Sequence, residues 1–305
     1  MSARALAAPG LGLILLCAAC GSPPVTVGPS QPSQSSASAA SPETPATGTV
    51  TVAVVGDMAC PLLCAESADV AALVKARHPV ALFALGDLLA NTRDWSVYDT
   101  EWGALKAVTH PVPGNHEYSS SIDAYNQYWG SAAHPPEDYY SFDLGSWHVV
   151  ALNGEIDNSL GSAEETWFRA DLAAHPALCT AVIIHEPRWS SAEEHPSDPA
   201  KEALWDDAVG AHVDLWFAGH NHLYERFAAL DSDGLPYADG TTEMVIGTGG
   251  RQLYNLAATP LPGEAVRDDH THGAGFFSLG AGAWSMTFAP VPGETFTDSA
   301  SGTCH

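Results

Sequence analysis

Basic residues are scarce in this sequence: 11 Lys and Arg stand against 36 Asp and Glu in 305 residues, a formal net charge of -25 at pH 7. A surface that negative repels nucleic acid and anionic lipid head groups, so the composition argues against both as partners. It also repels phosphate esters unless positive charge is supplied locally, and bound metal cations are one source of such charge.

Apolar runs long enough to span a bilayer are also missing, and the longest one near the start is "LGLILLCAA". An apolar run of this length, preceded by one Arg and followed by small residues, is typical of an export signal, which we assign to residues 1–21. The following "AACGS" resembles a bacterial lipoprotein box, with Cys20 as the lipidated residue; a plain cleaved signal is the alternative. Either way we expect an extracellular or cell-surface protein, in contact with the membrane only through the lipid anchor.

Large apolar residues are nearly absent from residues 22–48, which are rich in Ser, Pro and Ala. Such a segment cannot bury a core, so we predict a disordered tether there. We predict that residues 49–305 form one folded domain.

Cysteine is sparse in that predicted domain, which contains an even set of four: Cys60, Cys64, Cys179 and Cys304. In an oxidising compartment an even set favours two disulfides, and four cysteines allow three pairings. We favour Cys60–Cys64 and Cys179–Cys304. A metal site is the alternative for the first pair, although no second close pair of cysteines supports it.

Short apolar runs that end in polar residues recur along the folded part. "TVTVAVVGD", "VALFALGD", "WHVVALN", "TAVIIHEP" and "VDLWFAGHNH" alternate in part with helical patterns, notably residues 69–79 and 163–174. This arrangement is typical of α/β layers with ligands gathered where the strands end. The C-terminal "GAGFFSLGAGAWSMTFAPVPG" instead predicts antiparallel hairpins.

The polar residues at these strand ends are metal ligands by type: Asp57, Asp87, Asn115, His185, His220 and His222. Oxygen ligands mixed with imidazole suit Zn, Mn or Fe, and six protein ligands are too many for one catalytic zinc ion. The set fits two divalent ions that share one carboxylate.

Five motifs in this order resemble the calcineurin-like metallophosphoesterase superfamily: "GD" at 56–57, "GD" at 86–87, "GNHE" at 114–117, "IIH" at 183–185 and "GHNH" at 219–222. "GNHEY", "YYSFDLGSWHVVALN", "GHNHLYER" and "GTGG" resemble its purple-acid-phosphatase-like branch, especially secreted bacterial members. The resemblance implies an α+β fold, a four-layer αββα sandwich of two mixed β-sheets flanked by helices.

The resemblance also implies a role for each ligand. Asp57 and His222 would hold the first metal ion, and Asp87 would bridge both ions. The second ion would be held by Asn115, His185 and His220. His116 would contact the phosphate or protonate the leaving group.

Two departures from the family pattern concern the first ion and the substrate. Ala90 stands where purple acid phosphatases have a Tyr, and Ala59 stands where other members have a His. Asn91 or water would therefore complete the coordination of the first ion. Without a phenolate ligand we predict a colourless protein that holds divalent ions. Glu186 occupies the place of a second, substrate-facing His; it either repels the phosphate or, with a raised pKa, acts as a neutral acid.

These residues predict a binuclear phosphoesterase that hydrolyses a small phosphomonoester by attack of a metal-bound hydroxide. The alternatives are a phosphodiesterase or nucleotidase with the same site, and a surface lipoprotein that binds metal and phosphate without turnover. His195, in the loop after Glu186, is a further candidate for contact with substrate.

Overall fold

The computed structural model describes residues 48–177 and 179–305, and two β-sheets form its centre. The first sheet has six strands, in the spatial order Asp298–Thr303 (β13), Ala283–Pro290 (β12), Gly273–Gly280 (β11), Val50–Val55 (β1), Ala81–Leu85 (β2) and Thr109–Val112 (β3). The second sheet has seven, in the order Glu264–Asp268 (β10), Tyr224–Leu230 (β8), Thr241–Ile246 (β9), Leu215–Ala218 (β7), Cys179–Ile183 (β6), Trp147–Ala151 (β5) and Tyr140–Leu144 (β4). The predicted export signal, Cys20 and almost all of the predicted tether lie outside the described residues.

Both sheets are mixed. Strands β1, β2 and β3 run parallel in the first sheet, as do β5, β6, β7 and β9 in the second. The remaining neighbouring strands pair antiparallel. Among them are β11 and β12, which form the predicted C-terminal hairpin. Of the parallel strands, β2 and β7 are wholly apolar, because a strand covered on both faces has no solvent side for polar residues.

Helices cover the outer face of each sheet. Those on the first sheet are Ser67–Ala76 (α1), Ser96–Trp102 (α2) and Ile122–Trp129 (α4); those on the second are Ala163–Ala174 (α5) and Glu202–Gly210 (α6). A further short helix, Asn115–Ser120 (α3), follows β3 in the chain. Short 3-10 helices span Gly103–Val108, Gly130–Ala133 and Pro199–Lys201.

Three apolar clusters separate the layers. One lies between the two sheets and includes Val54, Phe83, Phe217 and Phe277, all fully buried. The second joins the first sheet to its helices, and the third joins the second sheet to α5 and α6. The predicted αββα sandwich is therefore confirmed.

Disulfide bonds join Cys60 to Cys64 and Cys179 to Cys304, the two pairs that the sequence analysis favours. The second bond connects β6 of one sheet to the residue that follows β13 at the edge of the other. Across the described residues, no helix has both the length and the apolar character needed to cross a membrane.

Candidate metal centre

The six predicted ligands follow the carboxyl ends of five strands. Asp57, Asp87 and Asn115 come after β1, β2 and β3, which are adjacent and parallel. His185 follows β6 of the second sheet, and the segment with His220 and His222 follows β7, its parallel neighbour. Because parallel strands end at the same edge, the two sheets bring their ligands to a single region.

Asp57, Asp87 and His222 form a first buried group, with one ligand atom of each within 4.8 Å of the others. His222 Nε2 lies 3.3 Å from Asp57 Oδ1, and its Nδ1 lies 2.7 Å from the carbonyl oxygen of Gln252. A ring that donates Nδ1–H to a carbonyl presents the Nε2 lone pair, as metal-binding imidazoles do. Both oxygens of Asp57 are buried without a hydrogen-bond partner among the described residues, so a cation is needed to offset their desolvation.

A second group surrounds His185 Nε2. This atom lies 3.2 Å from Asn115 Oδ1, 3.2 Å from His220 Nδ1 and 3.4 Å from Asp87 Oδ1. His185 Nδ1 lies 2.7 Å from the carbonyl oxygen of Leu85, which fixes Nδ1 as a donor. Several acceptor atoms thus converge on one point, an arrangement that fits a metal ion.

Electrostatics favour positive charge at that point. Burial disfavours a charged imidazole, but the carboxylates of Asp87, Glu186 and Asp57 together raise the pKa of His185 to about 9. The position therefore attracts a cation, whether a proton or a metal ion.

The backbone at three of the ligands is in the left-handed region: φ is 60° at Asp57, 50° at Asp87 and 66° at His220. Residues with a Cβ adopt this conformation at a cost, and such residues cluster at functional sites. Gly219 is needed for a separate reason, since a Cβ there would lie 2.7 Å from the carbonyl oxygen of Leu85. The sharp exit from β7 lets the two histidines of "GHNH" reach different groups.

Glu117, the last residue of "GNHE", positions the ligands around it. Its Oε2 accepts hydrogen bonds from the backbone N–H groups of Asp87 and Gly114, both at 2.9 Å, and its Oε1 accepts one from Leu89 at 3.0 Å. Burial and the charge of Asp87 raise its pKa to about 8. Glu117 belongs to the "GNHE" motif, but this positioning role is not predicted from the sequence.

Arg251 is the second residue that the sequence analysis missed. Its Nη1 donates to Asp87 Oδ2 at 2.5 Å, and its Nη2 lies 2.9 Å from His116 Nε2. His116 in turn donates its backbone N–H to Asp87 Oδ1 at 2.8 Å, and its side chain is 24% exposed at the surface of the site. Burial opposes ionisation of Asp87, but His185, Arg251 and His116 lower its pKa to about 2.

The sequence model of the calcineurin-like phosphoesterase family matches residues 50–224 of this chain. The chain belongs to this family. Probable purple acid phosphatase 20 of Arabidopsis thaliana is 31% identical over 183 residues, covering 53% of this chain and 39% of the relative. Purple acid phosphatase 22 of the same plant is 28% identical over 180 residues, covering 54% of this chain and 38% of the relative. Both relatives are named as purple acid phosphatases, and the chain spans about two fifths of their length.

The fold of this phosphoesterase-family chain also matches solved structures. The structure of purple acid phosphatase PPD1 from yellow lupin (Lupinus luteus) seeds superposes with a TM-score of 0.68 at 19% identity. The match covers 83% of this chain and 53% of the lupin protein. At that identity the likeness concerns the fold, and it extends beyond the segment matched by the family model.

Glu186, the departure from the family at the substrate side, lies in the site. One ligand atom each from Glu186, His185 and His220 lie within 4.8 Å of one another. Burial raises the pKa of Glu186, but the adjacent Glu155 carboxyl, His185 and Lys201, whose Nζ is 3.7 Å away, lower it to about 2. Burial and Glu186 in turn raise the pKa of Glu155 to about 9. These directions favour an ionised Glu186 with the shared proton on Glu155, which argues against a neutral acid at Glu186; its role stays a prediction.

The positions of the missing Tyr and His are filled by apolar packing. Ala90 is fully buried and packs against the disulfide of Cys60 and Cys64, which occupies the space beside it. Ala59 is also fully buried and pairs with Leu89 through an isolated β-bridge.

The two weaker substrate candidates differ in their placement. The His195 ring lies 4.2 Å from the His220 ring, and both line a cavity with Glu186. Asn91 is exposed with φ at 62°, and within the described part of the chain no hydrogen bond joins its side chain to the ligands. The structure therefore brings His195 to the site and gives Asn91 no observed part in it.

Proposed function

We propose that the protein is a metal-dependent phosphoesterase that hydrolyses small phosphomonoesters. The observation that carries this proposal is the convergence of six ligands in two groups that share Asp87. The family and the relatives named as phosphatases support the reaction class.

The first ion would be held by Asp57 and His222, the second by Asn115, His185 and His220, with Asp87 between them. When bound, two divalent ions would supply positive charge for the phosphoryl oxygens and lower the pKa of an attacking water. That charge would offset the repulsion between a phosphate ester and an acidic protein.

The remaining roles belong to residues at the rim. His116 is partly exposed at the site, and its Nε2 accepts from Arg251 Nη2; contact with the phosphate or protonation of the leaving oxygen would require His116 to leave Arg251 and take up a proton. The His195 ring forms a wall of the cavity next to His220.

A phosphodiester is the second candidate substrate, and the state of Glu186 favours it. An ionised carboxylate next to His220 repels a phosphomonoester dianion more strongly than a diester monoanion. An ionised Glu186 would therefore shift the preference of the site towards the diester.

The test compares p-nitrophenyl phosphate with bis(p-nitrophenyl) phosphate in the presence of Mn²⁺ or Zn²⁺. We expect faster turnover of the monoester, loss of activity on chelation, and loss in Asp87→Asn. A reversed preference would establish the diesterase alternative. Binding of metal and phosphate without turnover of either ester would reject the enzyme and favour a surface binding protein.

A further inference from the structure

Arg251 brings a fixed positive charge into the proposed metal centre. It follows the turn "GTGG" after β9 and is 8% exposed, so its charge is largely removed from water. Its backbone is also held, because its carbonyl oxygen lies 3.0 Å from Nε2 of the buried His272. Gly250 takes φ +128° where the turn passes against Ser67.

Apart from the shared Asp87, the guanidinium lies near Asp57 of the first ion, and among the described residues it makes no hydrogen bond or ion pair with Asn115, His185 or His220. Nη1 donates to Asp87 Oδ2 and lies 4.0 Å from Asp57 Oδ1. Asn115 and His220, on the other side of Asp87, face His185 instead. Arg251 thus competes for the shared carboxylate from the side of the first ion only.

The first ion also has the poorer ligand set. Apart from the shared carboxylate it has Asp57 and His222, whereas the second ion has Asn115, His185 and His220. A metal ion that needs three protein ligands loses a large part of its binding free energy when one is engaged elsewhere.

We propose that Arg251 is a built-in competitor of the first metal ion for Asp87, so that the two ions bind with unequal affinity. The inference rests on the proposed function, since it requires two metal ions. The ion at Asn115, His185 and His220 is then retained, and the ion at Asp57 and His222 exchanges. Breaking a charge-assisted hydrogen bond such as that of Arg251 corresponds to roughly a 10- to 100-fold change in an equilibrium constant.

The experiment is a calorimetric titration of the metal-stripped full chain with Mn²⁺, repeated with Zn²⁺. The wild type should bind one ion tightly and a second at least about 10-fold more weakly. In Arg251→Met, which keeps the length of the side chain and removes the charge, the weaker step should tighten by roughly 10- to 100-fold while the tight step is unchanged. Arg251→Lys keeps the charge but loses the planar fork, so its weaker step should fall between the two.

Arg169→Met is the matched control, since Arg169 is 56% exposed and pairs with Glu165 on α5. Its two binding steps should equal those of the wild type. Two steps of equal affinity in the wild type would overturn the inference, as would a weaker step that is unchanged in Arg251→Met. If Arg251→Met does not fold, the wild type and Arg251→Lys decide the question alone. A chain that binds no metal at all would instead reject the proposed function.

Discussion

At the residue scale, Asp87 connects every part of the candidate site. Its Oδ2 accepts from Arg251, its Oδ1 accepts from the backbone of His116 and lies near His185, and its own backbone N–H donates to Glu117. A carboxylate so constrained has one orientation available to it. Substitution of a residue that contacts Asp87 should therefore alter the geometry of the site even where that residue contacts no metal ion.

Glu117→Gln should destabilise the fold. Above about pH 8 Glu117 is ionised and presents two acceptor oxygens, whereas an amide presents one, so a buried backbone donor next to Asp87 loses its partner at that pH. We expect the free energy of unfolding to fall by about 1–3 kcal/mol, measured by urea denaturation. Glu137→Gln is the control, because the Glu137 side chain is exposed. A loss no larger than in that control would show that the network around Asp87 does not depend on Glu117.

Glu186→His should increase the rate of phosphomonoester hydrolysis. The change removes a negative charge beside His220, so repulsion of a dianion decreases. We expect kcat/KM for p-nitrophenyl phosphate to rise several-fold, roughly the effect of one kcal/mol. Glu186→Gln should show the same direction, and an unchanged rate in both variants would mean that Glu186 does not face the substrate.

The ligands were predictable from the sequence because each directly follows an apolar strand and several follow a glycine. Arg251 and Glu117 were not, for different physical reasons. Arg251 acts through a tertiary contact with Asp87, 164 residues away in the chain. Glu117 is adjacent to recognised ligands, but its role depends on three backbone donors whose convergence no local pattern encodes.

At the scale of the elements, a second cluster of histidines and carboxylates joins β4, β5 and α5. His148 on β5 is 1% exposed; its Nδ1 lies 3.0 Å from Asp143 Oδ1 and its Nε2 lies 2.8 Å from Asp171 Oδ2. A neutral imidazole donates only one of these two hydrogen bonds, whereas the charged ring donates both. The pKa of His148 is raised although burial opposes it, because the two carboxylates favour the charged form.

This pairing should make stability depend on pH. Since the pKa of His148 is higher in the folded chain than the roughly 6.5 of an unfolded chain, its contribution is complete below about pH 6.5. The contribution is lost as the pH rises through the folded value. The difference in unfolding free energy between the wild type and His148→Gln should therefore be larger at pH 6 than at pH 8.

Denaturation across that pH range measures the difference, with the highly exposed His270 replaced by Gln as the control. A difference that stays constant or grows with pH would contradict the assignment of a charged His148.

The helix and strand content was more predictable than the arrangement of the strands. The predicted helix at 163–174 matches α5, and the one at 69–79 is shifted towards the N-terminus in α1, Ser67–Ala76. Periodicity reports which residues are buried, so it identifies elements well. The placement of β11 beside β1 and of β9 beside β7 depends on long-range packing, and nothing local in the sequence specifies it.

At the scale of the whole molecule, the two disulfides should contribute unequally to stability. Cys179 and Cys304 are 125 residues apart, whereas Cys60 and Cys64 are separated by four. In the chain-entropy account, closing the longer loop contributes about 5 kcal/mol and the shorter about 2 kcal/mol. The double variant Cys179→Ala with Cys304→Ala should therefore lower the melting temperature more than Cys60→Ala with Cys64→Ala.

Calorimetric melting of the two double variants tests that ranking. An equal fall in melting temperature in the two variants, or a larger fall in the variant without Cys60–Cys64, would mean that the packing of this disulfide on Ala90 outweighs chain entropy. The two bonds also support the expectation of an exported protein, since disulfides persist in oxidising compartments. Anchoring through Cys20 remains a prediction.

The central claim is that strand ends from two sheets assemble one metal centre, and anomalous diffraction from crystals grown with Mn²⁺ or Zn²⁺ tests it most directly. The account predicts two anomalous peaks on either side of Asp87, one in contact with Asp57 and His222 and the other with Asn115, His185 and His220. An absence of peaks at this edge of the sheets, or metal bound only elsewhere on the protein, would contradict it.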